Sequence, residues 1–288
     1  MSELKEVCRN FTASFCINGH FVFYAGQSYL SALALGYKSI VKCFVNQLKC
    51  IKEEGLTRIG EVPCLMGEFG IPMDMDQGRA FVSGDYSAHE KALNANYIAM
   101  EENLLNCTLW TYVSDNSHKW GDNWNGEDLS VVTRGNLNNG SGENSSTAMR
   151  PPENSDHAMA PGSESSGSAG EGLMGRVQNA FVRPYAMKTS GIPLSMQFDM
   201  NKVIFRYYFH NDRYAPVAGH ETVIFVPEIH FGSDPDQLKI IVSDGTYTCH
   251  LDKQLILYKH SDLVLKEHFI WISKKPHNRK QTSVCNIL

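Results

Sequence analysis

The sequence is short of positive charge and of the cysteine and histidine spacings that bind metal. Lys and Arg number 26 against 31 Asp and Glu, which gives a net charge of −5. Because no basic excess is available to neutralise phosphates, nucleic acid is excluded as a bulk partner. None of the eight cysteines forms a CxxC pair, and His89-Glu90 lacks the second histidine of a zinc-binding helix. We therefore expect no metal site, and free thiols in a reducing compartment.

The N-terminal part shows neither the pattern of a secretory leader nor that of a membrane span. Met1–Glu6 carries acids and no apolar core, which is unlike a signal peptide. Phe21–Tyr37 runs 17 residues without a charge but contains two glycines and falls short of a spanning length. We expect this stretch to form protein core, and the protein to be intracellular, either cytoplasmic or associated with a membrane.

The first half of the chain has hydrophobic residues at helical spacing, separated by short apolar runs. One helical stripe covers Ile40–Ile51, with Gly55 as its predicted stop, and a second covers Leu93–Leu104. The apolar runs Pro63–Phe69 and Cys107–Val113 read as buried strands. This order of helix, strand, helix and strand is typical of a parallel α/β sheet.

The second half begins with a change of composition at about Gly135. Residues 135–172 are mostly Gly, Ser, Asn, Glu and Pro, so they predict a disordered surface insertion. Leu173–Phe181 then restores a helical stripe.

From Ile192 the hydrophobic period becomes two, which predicts an antiparallel β-sandwich. The pair Asp244-Gly245 is read as a hairpin turn inside this region. The predicted strands are Met196–Met200, Lys202–His210, Thr222–Phe231, Leu238–His250, Gln254–His260 and His268–Ser273.

The stretch Leu65–Pro72 delivers one acid, Glu68, between two glycines at the end of a predicted buried strand. Barrels of alternating strands and helices place catalytic side chains at this end of their strands. Glycosidases that retain stereochemistry use two carboxyl groups, one of them as nucleophile, so Glu68 is a candidate for that role. The competing interpretation is a strand that ends in an exposed acid and a turn.

Tryptophans follow the next predicted strand. Trp110 lies at its end and could form an aromatic wall for a sugar, although a strand tryptophan is more often plain core. The segment Asp115–Asp128 that follows is dense in Trp, Asn and Asp, and Asn116 and Trp124 are its candidate substrate-binding residues. The alternative is a rigid loop that bonds only to itself.

Three motifs together resemble family-5 glycoside hydrolases of the endoglycoceramidase-related branch, which includes fungal glucosylceramidases and steryl β-glucosidases. The motifs are Ile71-Pro72-Met73-Asp74-Met75-Asp76, Leu109-Trp110-Thr111-Tyr112 and the run from Trp120 to Ser130, WGDNWNGEDLS. The resemblance implies a (β/α)8 barrel followed by a β-sandwich, acting on β-glucosides of ceramide or sterol without metal or organic cofactor. It also implies that Glu68 is the nucleophile at the end of strand seven and that Trp110 stacks on the sugar.

This resemblance implies a division of the chain into four parts. They are a partial barrel over 1–134, the insertion over 135–172, the last barrel helix and connection over 173–190, and a sandwich with a basic tail over 191–288.

The chain departs from the family in two respects. It has no Asn-Glu dipeptide, the motif that carries the family's acid/base glutamate, and about 67 residues before Glu68 cannot hold six strand–helix units. We therefore expect the C-terminal portion of such an enzyme, with weak or no turnover by itself. The alternative is an inactive remnant that binds lipid, a membrane or another protein.

The chain ends in Cys285-Asn286-Ile287-Leu288, which fits a prenylation motif with basic residues just upstream. One prenyl chain anchors only marginally, so the basic residues would supply a second signal. Such an anchor at Cys285 would suit a glycolipid substrate at a membrane surface. The alternative is an ordinary tail.

Overall fold

The computed structural model describes residues 15–17, 20–22, 34–134, 173–211, 221–261 and 267–275. Most of Phe21–Tyr37, the predicted insertion 135–172 and the prenylation motif at Cys285 lie outside these residues. Within the described ranges, no helix is both long and apolar enough to cross a bilayer. Cys43, Cys50, Cys64, Cys107 and Cys249 are free thiols, and Cys64 and Cys107 are partly buried.

The first half forms helices around one pair of parallel strands. In chain order its elements are β1 (Phe15–Ile17), β2 (His20–Val22), α1 (Tyr37–Ile59), β3 (Leu65–Phe69), α2 (Met75–Ser83), α3 (Ser87–Glu102) and β4 (Asn106–Leu109). β3 and β4 pair in parallel, with Leu65 opposite Asn106 and Phe69 opposite Leu109. The predicted parallel pairing of these two runs is thus confirmed.

A hydrophobic core fixes α3 beneath the two strands. Leu93 of α3 is fully buried with Ile71 and Met73 from the segment after β3. The ring of Phe69 meets Tyr97 of α3 edge to face, with centroids 5.1 Å apart. The hydrophobic stripe predicted for this helix is therefore the face of α3 that packs against the strands.

Two details of the first half differ from the sequence prediction. Gly55 is not a stop, because α1 continues through it to Ile59 and ends at Gly60, whose φ is +96°. A glycine inside a helix costs only about 1 kcal/mol relative to alanine, which the continuing helix tolerates. Helix α2 was not predicted, since Asp76, Gln77 and Gly78 all take positive φ and its pattern is not periodic.

The predicted helical stripe Leu173–Phe181 is only partly correct. Its first residues form β6 (Leu173–Gly175), which pairs antiparallel with β5 (Val132–Arg134), and only a short helix, α4 (Gln178–Phe181), follows. The β5–β6 pair brings together the two ends of the chain that flank the predicted insertion.

The second half contains two four-stranded antiparallel sheets, as predicted from the period of two. Its strands are β7 (Tyr185–Lys188), β8 (Ile192–Asp199), β9 (Ile204–His210), β10 (Glu221–Phe225), β11 (Leu238–Val242), β12 (Thr246–His250), β13 (Leu255–Lys259) and β14 (Glu267–Lys274). The sheet orders are β12-β13-β10-β7 and β11-β14-β9-β8. Alternate residues of both sheets, such as Phe209 of β9 and Ile256 of β13, share one buried core.

The hairpin predicted at Asp244-Gly245 is wrong. β11 pairs with β14 and β12 pairs with β13, so the turn carries the chain from one sheet to the other. The Asp244 carboxylate accepts hydrogen bonds from the Ser261 backbone N–H at 2.8 Å and lies 2.9 Å from His268 Nδ1. These contacts join residues that are distant in sequence, and they hold the turn at the edge of both sheets. Also unpredicted is the short helix α5 (Glu228–Phe231), which occupies the end of the predicted third strand.

Arg183 joins the two halves. Its buried guanidinium donates to Glu101 Oε1 at 2.7 Å and to Asn94 Oδ1 at 2.7 Å, both on α3. The other carboxylate oxygen of Glu101 accepts the backbone N–H of Phe198 in β8 at 3.1 Å. The helix that supports β3 and β4 is therefore hydrogen-bonded directly to the antiparallel half.

Candidate active site

Glu68 lies near the end of β3, where the pairing of this strand with β4 shifts register between Met66 and Phe69. The next residue, Phe69, packs on Tyr97 of α3, whereas the Glu68 side chain is exposed. Among the described residues Glu68 has no hydrogen bond or ion pair. Its carboxylate is therefore available to a ligand.

Trp110 is joined to the end of β3 through the main chain. The Trp110 backbone N–H donates to the carbonyl of Phe69 at 2.8 Å, so Trp110 and Glu68 flank one hydrogen bond between the strand ends. A side chain at Gly70 would place its Cβ 2.2 Å from the Trp110 carbonyl oxygen, so this close approach requires glycine. The main chains of the two strand ends, at which the sequence singled out Glu68 and Trp110, therefore lie side by side.

Trp124, in the loop that follows β4, lies next to Trp110. Its ring centroid lies 5.8 Å from that of Trp110, with the two planes inclined by 58°. The Trp124 side chain is 60% exposed, and Trp110 is partly exposed. The two indoles form an open aromatic corner, the kind of surface on which sugar rings stack.

Asn116 lies inside the loop. It is fully buried, and its amide nitrogen donates to Asp122 Oδ1 at 2.8 Å and to Asp128 Oδ1 at 2.9 Å. Asp122 in turn accepts the backbone N–H of Leu129 at 2.8 Å. The side chain of Asn116 thus organises the loop from within, and no part of it is exposed on a ligand-facing surface.

A buried ion pair ties this loop to the chain beyond the predicted insertion. Arg176, immediately after β6, donates to both carboxylate oxygens of Asp128 at 2.5 and 3.2 Å and to the Ser130 carbonyl at 2.9 Å. Both charged side chains are at least 94% buried, with exposed fractions of 1% and 6%. Paired Arg–carboxylate hydrogen bonds are stronger and more directional than neutral ones, so they fix the loop in one arrangement.

The surroundings of this ion pair disfavour further positive charge. His118 of the loop stacks on Phe81 of α2 with centroids 4.3 Å apart, and burial together with the nearby Arg176 lowers the pKa of His118. Burial also raises the pKa of the Tyr86 hydroxyl, which lies 3.4 Å from His118 Nε2. Both side chains therefore stay neutral at neutral pH, and Arg176 carries the positive charge.

Sequence reasoning missed Arg176 and the supporting role of Asp122 and Asp128. Arg176 is 48 residues from Asp128, on the far side of the predicted insertion, and no spacing rule connects the two. The one available signal was the density of Asx residues in a loop, which predicts side chains that bond to their own backbone. The structure shows contacts of this kind for Asn116 and Asp122, whereas Asp128 also binds Arg176 outside the loop.

Comparison with known proteins identifies the family of the antiparallel half. Residues 183–273 match the glycoside hydrolase family 5 C-terminal domain. The chain therefore carries the C-terminal domain of this class of hydrolases, and the resemblance predicted from the sequence is confirmed.

Individual relatives narrow the comparison to enzymes named for glycolipids. The chain is 35% identical over 238 residues to a glucosylceramidase of Rhizopus delemar, with 83% of this chain and 32% of the relative covered. It is 29% identical over 280 residues to ergosteryl-beta-glucosidase of Saccharomyces cerevisiae, with 87% and 36% covered. Sterylglucosidase 1 of Cryptococcus neoformans superimposes with a TM-score of 0.69 at 26% identity, over 86% of this chain and 34% of that one. The chain thus spans about a third of the length of these relatives.

Proposed function

We propose that the chain is the nucleophile-bearing, C-terminal portion of a retaining β-glycosidase that acts on glycolipids such as glucosylceramide or a steryl β-glucoside. The observation that supports this most directly is that the exposed Glu68 directly precedes Phe69, whose carbonyl accepts the N–H of Trp110, the residue that forms the open aromatic corner with Trp124. The names of the relatives support the substrate class.

The architecture proposed for the whole enzyme is a (β/α)8 barrel followed by a β-sandwich. In this arrangement β3 and β4 are the last two barrel strands, and the face that carries Glu68 lines the barrel interior. The two antiparallel sheets after Arg183 are the sandwich. Arg183 and Glu101 then fix α3, the helix between these two strands, to the sandwich.

In the proposed reaction a Glu68 carboxylate oxygen forms a bond to the anomeric carbon as the bond to the lipid oxygen breaks. The leaving oxygen takes a proton from an acid on the remaining two thirds of the enzyme. A water molecule then attacks the anomeric carbon, gives its proton to that same group, and releases Glu68 as a carboxylate. Trp110 and Trp124 position the sugar by stacking.

Because the proposed acid lies outside this chain, the rate of hydrolysis by the chain should depend on the leaving group. General acid catalysis contributes about 10²–10⁴ in rate, so the isolated chain should hydrolyse unactivated glucosides weakly or not at all. A dinitrophenyl β-glucoside needs no proton on its leaving oxygen, so the chain should hydrolyse it slowly. Glu68→Gln should abolish that hydrolysis, and Glu61→Gln, at an exposed position before the start of β3, should leave it unchanged.

Azide provides a second arm of this experiment. In Glu68→Ala the small anion can replace the missing nucleophile, so azide should restore release of dinitrophenol and yield the α-glucosyl azide. Equal rates for the wild type and Glu68→Gln, with no rescue, would reject the proposed role of Glu68.

A second candidate function is glycolipid binding without turnover. The exposed aromatic side chains near the site favour it, since Tyr112, Trp120 and Trp124 are 63%, 57% and 60% exposed. Binding to vesicles that contain glucosylceramide, without hydrolysis of the dinitrophenyl glucoside, would support this alternative. Attachment to membranes through Cys285 and an intracellular location stay predictions, and the intact mass of the protein purified from cells tests the first.

A further inference from the structure

The outer face of the sheet β11-β14-β9-β8 carries aromatic side chains. Along β9, Phe205 and Phe209 are fully buried in the core between the two sheets, so Tyr208 lies on the opposite, outer face. Residues that pair across neighbouring strands share a face, and the partner of Tyr208 on β14 is Phe269. Two residues further along β14, Trp271 lies on the same face. A sheet face that meets only water is normally polar, so this aromatic cluster indicates a different environment.

Exposed aliphatic side chains extend the cluster to both edges of the sheet. Ile241 of β11 pairs with Trp271 and is 39% exposed. At the other edge Ile192 of β8 pairs with His210, two residues from Tyr208, and is 59% exposed. One apolar band thus crosses all four strands, and we call it the outer aromatic face. Contiguous exposed apolar surface of this kind marks a site of association.

The three rings of the outer aromatic face do not form a flat platform for a sugar. The planes of Phe269 and Trp271 are inclined by 38°, and that of Tyr208 is inclined to Trp271 by 67°. The Trp271 Nε1–H donates to the Tyr208 hydroxyl at 2.9 Å, and the Arg206 guanidinium lies 5.6 Å from the centre of the Trp271 ring. Polar atoms are therefore paired inside the cluster, which leaves apolar surface beside a positive charge. Tryptophan and tyrosine in such surroundings are typical of the interface between lipid headgroups and hydrocarbon.

The charges of this face suit an anionic lipid surface. Arg206 and the exposed Lys239 lie on it, since they pair with Trp271 and with its second neighbour on β14. Within these four described strands the carboxylates are Glu267 and Asp199, which lie at opposite ends of the face. Asp199 is also ion-paired with Lys202 at 3.6 Å. The middle of the face is thus apolar and positively charged, in a chain whose net charge is −5.

We propose that the outer aromatic face docks the chain on the surface of an anionic lipid bilayer. The aromatic rings lie at the level of the headgroups, the two edge isoleucines contact the acyl boundary, and the two cations attract lipid phosphates. Such docking would bring a glycolipid hydrolase to its substrate. It goes beyond the proposed function, because it is argued from a surface other than the candidate active site and does not depend on Glu68.

Sedimentation with vesicles that contain no glycolipid tests this docking. The full chain is mixed with vesicles of phosphatidylcholine and phosphatidylserine, or of phosphatidylcholine alone, and should bind the anionic vesicles more tightly. Ile192→Glu combined with Ile241→Glu places charge at both edges of the band, so it should weaken binding at least about tenfold. Lys239→Gln should weaken it about fivefold, and this surface change keeps the test valid if the double variant fails to fold.

Met187→Glu is the matched control, because Met187 is 53% exposed on β7 of the other antiparallel sheet. It should bind vesicles like the wild type, and circular dichroism of all variants should match the wild type. Absence of vesicle binding, equal loss in Met187→Glu, or a dimer of the chain that Ile241→Glu dissociates would overturn the proposal.

Quenching by brominated lipids identifies the side chains that meet the bilayer. Of the four tryptophans, Trp271 alone lies on the outer aromatic face, whereas Trp110, Trp120 and Trp124 lie at or near the candidate active site. Vesicles with bromine on the acyl chains should quench wild-type fluorescence, and Trp271→Phe should lose most of that quenching. Undiminished quenching in Trp271→Phe would overturn the proposal. Wild-type binding by Glu68→Gln, next to a wild-type chain that does not hydrolyse the dinitrophenyl glucoside, would reject the proposed function and leave this inference standing.

Discussion

The antiparallel and the parallel halves of this chain differ in how completely they bury their own strands. Between the two antiparallel sheets, Phe205, Phe209, Ile224 and Ile270 are completely buried. In the parallel half, Leu65 of β3 is 60% exposed and Ile59 of α1 is 72% exposed. Antiparallel sheets can close a core between two inner faces, whereas a parallel sheet needs cover on both faces. The comparison teaches that the half bearing the candidate nucleophile leaves more of its apolar strand and helix surface exposed than the antiparallel half does.

Truncation of one strand side chain in each half should give the largest contrast in the free energy of unfolding. Phe209→Ala removes a fully buried ring that contacts Tyr258, so it should lower the free energy of unfolding by about 4 kcal/mol. Leu65→Ala removes exposed surface and should change it by less than about 0.5 kcal/mol. Urea denaturation of both variants measures the difference, and equal losses would break the comparison.

Loss of the buried ion pair between Arg176 and Asp128 should lower the free energy of unfolding nearly as much as Phe209→Ala. Arg176→Met leaves the Asp128 carboxylate buried without its partner, so we expect a loss of about 3 kcal/mol. Hydrogen exchange of residues 114–131 should rise at the same time, because the loop loses its anchor. The exposed pair Arg79–Asp76 serves as control, and Arg79→Met should have almost no effect. Unchanged exchange in the loop would contradict the anchoring role of Arg176.

A smaller effect is expected at the tightest turn of the loop. Gly121 has a φ of +59°, and a Cβ there would lie 2.2 Å from the Glu127 carbonyl oxygen. Gly121→Ala should therefore lower the free energy of unfolding by about 2 kcal/mol. Gly84→Ala, at a φ of +70° in the left-handed helical region but with open space around it, is the matched control and should cost less. A reversed order in thermal denaturation would show that the contact with Glu127 is relieved by movement of the loop.

Sequence patterns predicted the positions of the helices and strands better than they predicted which strands pair with each other. The period of two located most strands because alternate residues such as Phe205, Tyr207 and Phe209 face one core. The same pattern could not show that β11 and β12 belong to different sheets, since Asp244 is held by Ser261 and His268, residues far along the chain. Pairing is decided by such long-range contacts, and a turn motif alone does not specify it.

The candidate site was predictable where it depends on strand ends and unpredictable where it depends on support. Glu68 and Trp110 follow directly from two apolar runs that end side by side in a parallel pair. Asn116 was expected to contact substrate, yet its amide is committed to Asp122 and Asp128 inside the loop. No sequence pattern pointed to Arg176, because the ion pair that fixes the loop joins distant parts of the chain.

The smallest expected effect concerns pH and involves His89 of α3. Its Nε2–H donates to the Met73 carbonyl at 3.0 Å, and burial lowers the pKa of His89 below the ordinary histidine value. Below about pH 6.5 the unfolded chain binds a proton that native His89 does not, so the stability of the fold falls as the pH falls from about 7.5 to about 5.5.

His89→Gln keeps a donor for Met73 and removes this titration, so its free energy of unfolding should depend less on pH over that range. Urea midpoints at several pH values measure the two slopes. His250→Gln, at an exposed histidine of the antiparallel half, is the control that should keep the wild-type slope. Identical slopes for His89→Gln and wild type would contradict the assignment.

Covalent trapping tests the central claim, the nucleophilic role of Glu68, most directly. An activated fluoroglucoside with a good leaving group forms a slowly hydrolysed glycosyl–enzyme ester and needs no acid to protonate that group. Mass spectrometry of the digested protein should find one fluoroglucosyl group on the peptide that contains Glu68, and none in Glu68→Gln. A label on another carboxylate, or equal labelling of the Glu68→Gln variant, would contradict the account.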